Sequence, residues 1–483
     1  MTGSPPAKLD RTVLLATAAL IVGALAVIFD STIISLALHS LATAFDVGVS
    51  TIQWVTTGYL LALAAAIPVV GWAQARFGGK RVWMVALTVF LLASIACSLA
   101  WDASSLIAFR VIQGFGGGLM LPLMATLTVQ QLPDGQGLGR LMAAVSLPAA
   151  LGPILGPTIG GLILTWLDWP WLFWVNVPFC LVGLWLADRF VPDDHPTGRP
   201  TLDWVGLLMV CPGLVGVLFG LSNITQDGGA SRLDFWAPLV AGLALLAVFA
   251  LTQLRRPTTA LVDLSLLRRP TLAASSAALF LSGTALYGSM LLLPLYFQVV
   301  RGTDALTAAL LLIPQGVGAL VSRTLAGRLT DSIGARAVAI GGFVLTGLAT
   351  IPFALAGTDT NQWWLLAVLF VRGIGTGAVL IPAMSVAYVG LAKPDVPHAS
   401  IITRLFQQLG GAFGTAVLAV VLEGAATGAA TLAGYAAAFD VAFWWAAAVT
   451  LLAVVVCAWL PAASTPAPSA APGIETDEPV TPG

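Results

Sequence analysis

Long apolar runs separated by short polar breaks fill the chain from residue 12 to residue 460. A helix needs about 20 apolar residues to span the hydrocarbon core of a bilayer. Fourteen stretches reach that length: 12–38, 52–72, 81–101, 105–129, 138–165, 170–190, 202–222, 235–254, 271–299, 305–327, 336–356, 362–389, 399–423 and 437–460. The pattern predicts an all-α membrane protein with fourteen crossings. An even count puts both termini on one side.

The polar breaks carry their cations unevenly. Alternate breaks on one face hold Lys8, Arg11, Arg76, Lys80, Arg81, Arg140, Arg189, Arg199, Arg255, Arg256, Arg268, Arg269, Arg328, Arg336 and Lys393, whereas the other face holds Arg232 and Arg301. Basic loops remain in the cytoplasm. The asymmetry predicts cytoplasmic termini in a cell (plasma or inner) membrane. It also supports the count, because one missed crossing would scramble the alternation.

Composition agrees. The chain is 58% hydrophobic and 9% charged, against about 25% charged in a typical soluble domain. A net charge of −1 gives no bias toward nucleic acid. Cys97, Cys180, Cys211 and Cys457 all fall inside apolar runs without metal-ligand spacing, and read as small buried hydrophobes. Lys8 and Arg11 precede an apolar run too long for a signal peptide. The Pro-, Ala-, Ser- and Thr-rich tail, 461–483, reads as a disordered cytoplasmic extension.

The chain repeats itself. Gly71 and Gly78 in GWAQARFGGKR recur 256 positions later as Gly327 and Gly334 in GRLTDSIGAR. Gly114, Gly116 and Gly118 in QGFGGGLM recur 259 positions later as Gly373, Gly375 and Gly377 in RGIGTGAV. Two nearly equal offsets imply a duplicated half. The expected organisation is a cytoplasmic N-terminus (1–11), an N-terminal six-helix bundle (12–190), an inserted helix pair (202–254), a C-terminal six-helix bundle (271–460) and the tail. Parallel repeats of this kind suit a rocking carrier with its substrate site between the halves.

The fifth run contains GPILGPTIGG, 152–161. Gly152, Gly156 and Gly160 are four apart and share one helix face, with Pro153, Pro157 and Gly161 in the adjacent row. Association of helices in lipid needs small residues that let backbones approach. Each proline also frees a carbonyl that must be satisfied inside the protein. This face should therefore lie against a neighbouring helix, as static close packing or as a moving contact.

These motifs resemble the major facilitator superfamily, and within it the fourteen-helix drug:proton antiporters (EmrB/QacA-type multidrug exporters). GPILGPTIGG is similar to that family's antiporter motif. FDSTIISLAL (29–38) resembles its first-helix signature, and residues 71–81 its loop between helices 2 and 3. FRVIQGFGGG (109–118) resembles its helix 4 motif, and WPWLFWVNVPF (169–179) the opening of its helix 6. The resemblance implies two pseudo-symmetric six-helix bundles plus two extra helices. It implies proton-driven export by alternating access, and gating loops at Gly71, Arg76, Gly78, Lys80, Arg81 and at Gly327, Asp331, Gly334, Arg336. There are departures. Ala75 stands where the family carries an acid and Gly79 where it carries a base, so the gating carboxylate should rest on Asp331. Ser35 and His39 replace Asn and Pro of the first-helix signature.

A charge at membrane depth costs several kcal/mol and usually marks a partner or a pathway. Asp30 lies about 12 Å from the outer end of the first run, and Arg110 about 8 Å into the fourth from the same face. The matching depths suggest a pair in which Asp30 exchanges a proton and Arg110 tunes its affinity. The competing readings are a structural hydrogen-bond acceptor for Asp30 and an interfacial arginine for Arg110. The resemblance favours proton coupling. Tyr59, Gln113, Tyr287, Met290, Gln315, Arg372, Phe406 and Glu423 are candidates for lining a substrate cavity. Arg323 and Arg404 are expected near the interface.

No phosphate-binding loop, ATP-hydrolysing domain or metal-ligand cluster is apparent. Energy should come from the proton motive force without a cofactor. The expected partners are protons, small-molecule substrates and lipid, with no nucleic acid, and the chain should work as a monomer and not as an enzyme. Three functions stay open: export of hydrophobic or amphiphilic drugs or antibiotics, export of one endogenous metabolite, and a membrane sensor or scaffold that transports nothing.

Overall fold

The computed structural model describes residues 11–460, apart from 48, 53, 132–137, 146, 195, 197–201, 223–232, 256–261, 358 and 428–430. The predicted tail lies outside the described residues. Every regular element among them is helical. The N-terminal half contains α1 (Arg11–Ala44), α2 (Trp54–Ala66), α3 (Val69–Phe77), α4 (Gly79–Ser98), α5 (Ala103–Gln130), α6 (Leu138–Val145), α7 (Leu147–Trp166) and α8 (Asn176–Phe190). Then come α9 (Trp204–Ser222) and α10 (Leu233–Arg255). The C-terminal half contains α11 (Pro270–Leu295), α12 (Ile313–Ile333), α13 (Ala335–Thr350), α14 (Gln362–Ala387), α15 (Val396–Ala426) and α16 (Leu432–Cys457).

Among the described residues, twelve helices are each long and apolar enough to cross a membrane, and the pair α2 and α3, bent by 55°, makes a thirteenth if it is one span. The bend falls at Ile67 and Pro68, where proline supplies no amide hydrogen to continue the ladder. The predicted run 138–165 is occupied by α6 and α7, on either side of residue 146, which lies outside the described residues. Helices suit these sequences because lipid leaves backbone groups no partner but their own helix.

The halves meet differently at their two ends. At the end carrying Arg76, Lys80, Arg81, Arg328 and Arg336, one apolar core draws on both halves. Val70, Leu127, Met142 and Val145 share it with Ala326, Ile381, Val396 and Ile401. At the opposite end the cores are separate, one around Ile33, Leu106 and Phe173, the other around Tyr296, Phe353 and Phe443. The joined end also carries a polar contact across the seam: Ser400 Oγ donates to the carbonyl of Pro122 at 2.9 Å.

The inserted pair α9 and α10 lies along one seam between the halves. Phe219 stacks on Trp54 of α2 at 5.4 Å, Cys211 Sγ donates to the carbonyl of Ala65, and Phe235 packs with Ala416 of α15. Helices α6 and α7 meet α12 along the other seam.

Candidate functional site

Asp30 sits on α1 and is fully buried within the N-terminal half. Helix α5 brings Arg110 to it: Nη1 donates to Asp30 Oδ2 at 2.5 Å. The other carboxylate oxygen accepts from Asn176 Nδ2 of α8 at 2.8 Å and from Gln113 Nε2 of α5 at 3.0 Å. Ser94 of α4 accepts a further bond from Gln113 at 2.6 Å. Arg110 is fixed from behind. Its Nε donates to the carbonyl of Val55 at 3.1 Å, Nη1 also donates to Gln113 Oε1 at 2.7 Å, and its guanidinium lies 4.0 Å from the Tyr59 ring centre. Five helices thus converge on one ion pair.

Close backbone packing makes this convergence feasible. A Cβ on Gly114 would come within 2.3 Å of the Tyr59 carbonyl, so α5 reaches α2 only because that position is glycine. The glycine row of α7 does the same against α1. A Cβ on Gly152 would lie 2.4 Å from Ile28, one on Gly156 2.1 Å from Thr32, and one on Gly160 3.3 Å from Ile33. These contacts flank Asp30 in sequence. The row is buried against a neighbour, as its composition required. Pro153, Pro157 and Gly161 lie within the helical backbone of α7; the side chains of the two prolines fall outside the described ones. So do those of Ser35 and His39 on α1.

Every group that bonds to Asp30 in this network is an N–H donor, so both carboxylate oxygens act as acceptors.

A second buried cluster occupies the equivalent place in the C-terminal half. Arg372 of α14 is 2% exposed. Its Nε donates to Thr350 Oγ1 of α13 at 3.0 Å, Nη1 to Gln315 Oε1 of α12 at 3.0 Å, and Nη2 to Ser289 Oγ of α11. The correspondence is positional. Ser289 and Arg372 stand 259 residues after Asp30 and Gln113, and Gln315 and Thr350 stand 256 after Tyr59 and Ser94. Glycine contacts repeat with it: Gly373 meets the Gln315 carbonyl as Gly114 meets that of Tyr59, and Gly377 meets the Ala319 carbonyl as Gly118 meets that of Leu63.

Residues 20–415 match the profile of the Major Facilitator Superfamily. The chain belongs to that superfamily. It is 34% identical over 421 residues to the multidrug resistance protein B homolog of Mycobacterium tuberculosis (strain H37Rv), covering 87% of this chain and 78% of that protein. It is 30% identical over 397 residues to the lincomycin resistance protein LmrB of Listeria innocua, covering 82% of this chain and 83% of that one. Among solved structures, it resembles the proton:xylose symporter XylE bound to 6-bromo-6-deoxy-D-glucose. The TM-score is 0.64 at 16% identity, over 92% of this chain and 94% of that one.

The two loops resembling the superfamily's gating motif share a backbone device. Gly78 (φ 85°, ψ 145°) and Gly334 (φ 93°, ψ 152°) join consecutive helices in the same unusual conformation, open to glycine. Their side chains differ. In the first copy, where Ala75 offers no acid, Asp194 accepts from the backbone amides of Gly79 and Lys80, capping α4. Lys80 Nζ pairs with Asp193 at 3.0 Å and donates to the Asp188 carbonyl at 2.9 Å. Gly71 is buried, with Ile401 of the other half 3.3 Å from where its Cβ would stand. Arg76 and Arg81 are exposed. In the second copy Gly327 is buried, Asp331 is exposed, and Arg336 Nε donates to the Leu460 carbonyl at 2.5 Å.

The candidate cavity residues divide among several places. Tyr59 and Gln113 are sealed inside the Asp30 network rather than lining an open cavity, because packing onto Arg110 leaves both fully buried. Gln315 and Arg372 form the second cluster. Tyr287 donates from its hydroxyl to Gln408 Oε1 at 3.3 Å, joining α11 to α15. Phe406 packs half-buried against the core shared by the halves. Met290 is 41% exposed, and Glu423 is exposed near the end of α15. Arg323, expected near the interface, is buried within the protein, and Arg404 is half-buried with Nη1 on Gln407. Asn176, Ser94 and Asp194 are functional candidates that sequence reasoning passed over.

Proposed function

We propose that this protein is a proton-coupled antiporter that exports hydrophobic or amphiphilic drugs or antibiotics by alternating access. On this reading it crosses the membrane fourteen times, as in the EmrB/QacA-type exporters. Its termini and basic end are cytoplasmic, and it works as a monomer without a cofactor. The relatives named for multidrug and lincomycin resistance support the export of drugs. The observation that carries proton coupling is the Asp30–Arg110 pair, fully buried and ringed by donors.

The mechanism follows from that ring. With Asp30 ionised, Arg110 is held at the carboxylate, and α1, α5 and α8 are tied together. A proton from outside neutralises Asp30 and weakens the bond to Arg110. The guanidinium then withdraws, and α1 shifts on the glycine face of α7. The shared core at the basic end closes the cytoplasmic side in the arrangement described, so this step leads from an outward-facing form to an inward-facing one. Substrate binding from the cytoplasm favours return of Arg110 and proton release.

Everted vesicles test the reading. An imposed pH gradient is expected to drive accumulation of rhodamine 6G, sensitive to an uncoupler, and Asp30→Asn is expected to abolish the pH dependence. Undiminished pH-driven transport in that variant would reject the role of Asp30.

A further inference from the structure

The buried charges do not balance. The charged side chains in the described buried interior are one carboxylate, Asp30, and three guanidiniums, Arg110, Arg323 and Arg372. Asp30 is already committed to Arg110. It offers little to a cationic substrate unless that pair breaks. Arg372 is held by two hydroxyls and an amide oxygen, all neutral. Among the described residues no carboxylate pairs with it.

A buried charge without a counter-charge is costly, several kcal/mol per ion after relaxation. Neutral acceptors recover only part of that cost, since bonds between opposite charges are stronger. The three acceptors fix the guanidinium without cancelling it. The same position in the first half carries neutral Gln113, so the repeat frame does not itself require a cation there. Arg372 lies ten residues after the start of α14, about 15 Å along the helix. A position this far along a membrane-spanning helix suits the acidic group of an amphiphile whose apolar body sits among hydrophobic side chains.

We propose that Arg372, positioned by Ser289, Gln315 and Thr350, is an anion subsite for the carboxylate of an amphiphilic organic acid. This rests on the export reading and names one substrate class for it. Gln315, half-buried, is the member of the cluster through which the anion would approach. The acid would displace the Gln315 amide oxygen from Nη1 and leave Ser289 and Thr350 in place.

The test uses the full chain in nanodiscs of zwitterionic lipid and in proteoliposomes. Binding of pyrenebutyrate and of its methyl ester is read by energy transfer from tryptophan, and no proton gradient is needed. The wild type is expected to prefer the acid over the ester. Arg372→Gln and Gln315→Glu should each lower that ratio about tenfold or more, the loss of a charge-assisted bond. Gln315→Glu is decisive should Arg372→Gln fold poorly. A merely structural arginine would gain from the new carboxylate, whereas an anion subsite would be occupied by it. An unchanged ratio in Gln315→Glu, or a wild type that does not distinguish acid from ester, overturns the proposal. Failure of proton-driven transport of rhodamine 6G by the wild-type proteoliposomes, with acid binding intact, would count against the export reading and leave the subsite standing.

Discussion

The clusters around Asp30 and Arg372 occupy matching places in the two halves, yet they differ in net charge, a neutral ion pair against a cation. The backbone frame is shared. Gly116 approaches the Ala86 carbonyl to 3.0 Å from its would-be Cβ, and Gly375 approaches the Gly342 carbonyl to 2.9 Å. The side chains differ: Asp30 faces Ser289 in the correspondence, Gln113 faces Arg372, and Tyr59 faces Gln315. One half holds a neutralised ion pair with no solvent exposure; the other holds a cation among neutral acceptors. The lesson is that glycine contacts preserve helix geometry, while single side chains decide which half holds a neutralised ion pair and which a cation among neutral acceptors. Duplication supplies the frame, and the chemistry is written on it independently.

The largest effect should come from breaking the charged pair. Arg110→Gln leaves the Asp30 carboxylate buried without its cation, which should lower stability by about 3–5 kcal/mol. Thermal unfolding in detergent measures this, and the double variant with Asp30→Asn should recover much of the loss. A similar loss from Arg372→Gln would erase the distinction between the halves, because Arg372 has no partner charge to strand. Next in size is Thr350→Val, which removes one of three acceptors from the charged Arg372; it should cost about 1.5–3 kcal/mol in unfolding and leave the Asp30 network untouched. The packing against α1 follows. Gly156→Ala places a methyl where Thr32 already stands, and should cost about 1–3 kcal/mol. Gly160→Ala, with 3.3 Å of room to the nearest atom, should cost less than Gly156→Ala in the same unfolding assay.

Smaller effects sharpen the contrast between the joined and separate ends. Ser400→Ala removes the hydrogen bond to the Pro122 carbonyl, worth about 0.5–1.5 kcal/mol. Its predicted consequence is a shift toward the form open at the basic end, read as faster cysteine labelling there; unchanged labelling would deny the contact a gating role.

Much of this was legible in the chain. The apolar runs marked the helices because hydrocarbon length is a hard constraint. The depth of Asp30 and Arg110 within their runs marked the pair, since a rise per residue converts position into height. Gly152, Gly156 and Gly160 announced a buried face through spacing alone. Other features depended on which helix meets which. Ser94 and Asn176 look like ordinary polar interruptions until α4 and α8 bring them to Asp30. Asp194 accepts from the amides that open α4, but it lies more than a hundred residues away, in the segment after α8. Tyr59 and Gln113 could be placed at a polar site, yet only packing shows that they close it. The correspondence of Arg372 with Gln113 was present in the offset, and its meaning emerged only with its neighbours.

Proton release on substrate binding tests the central claim most directly. Purified protein in weakly buffered detergent, mixed with rhodamine 6G and followed with a pH indicator, should release protons in the wild type and none in Asp30→Asn that still binds the dye. Equal release by the two proteins would place the exchanging proton elsewhere and contradict the account.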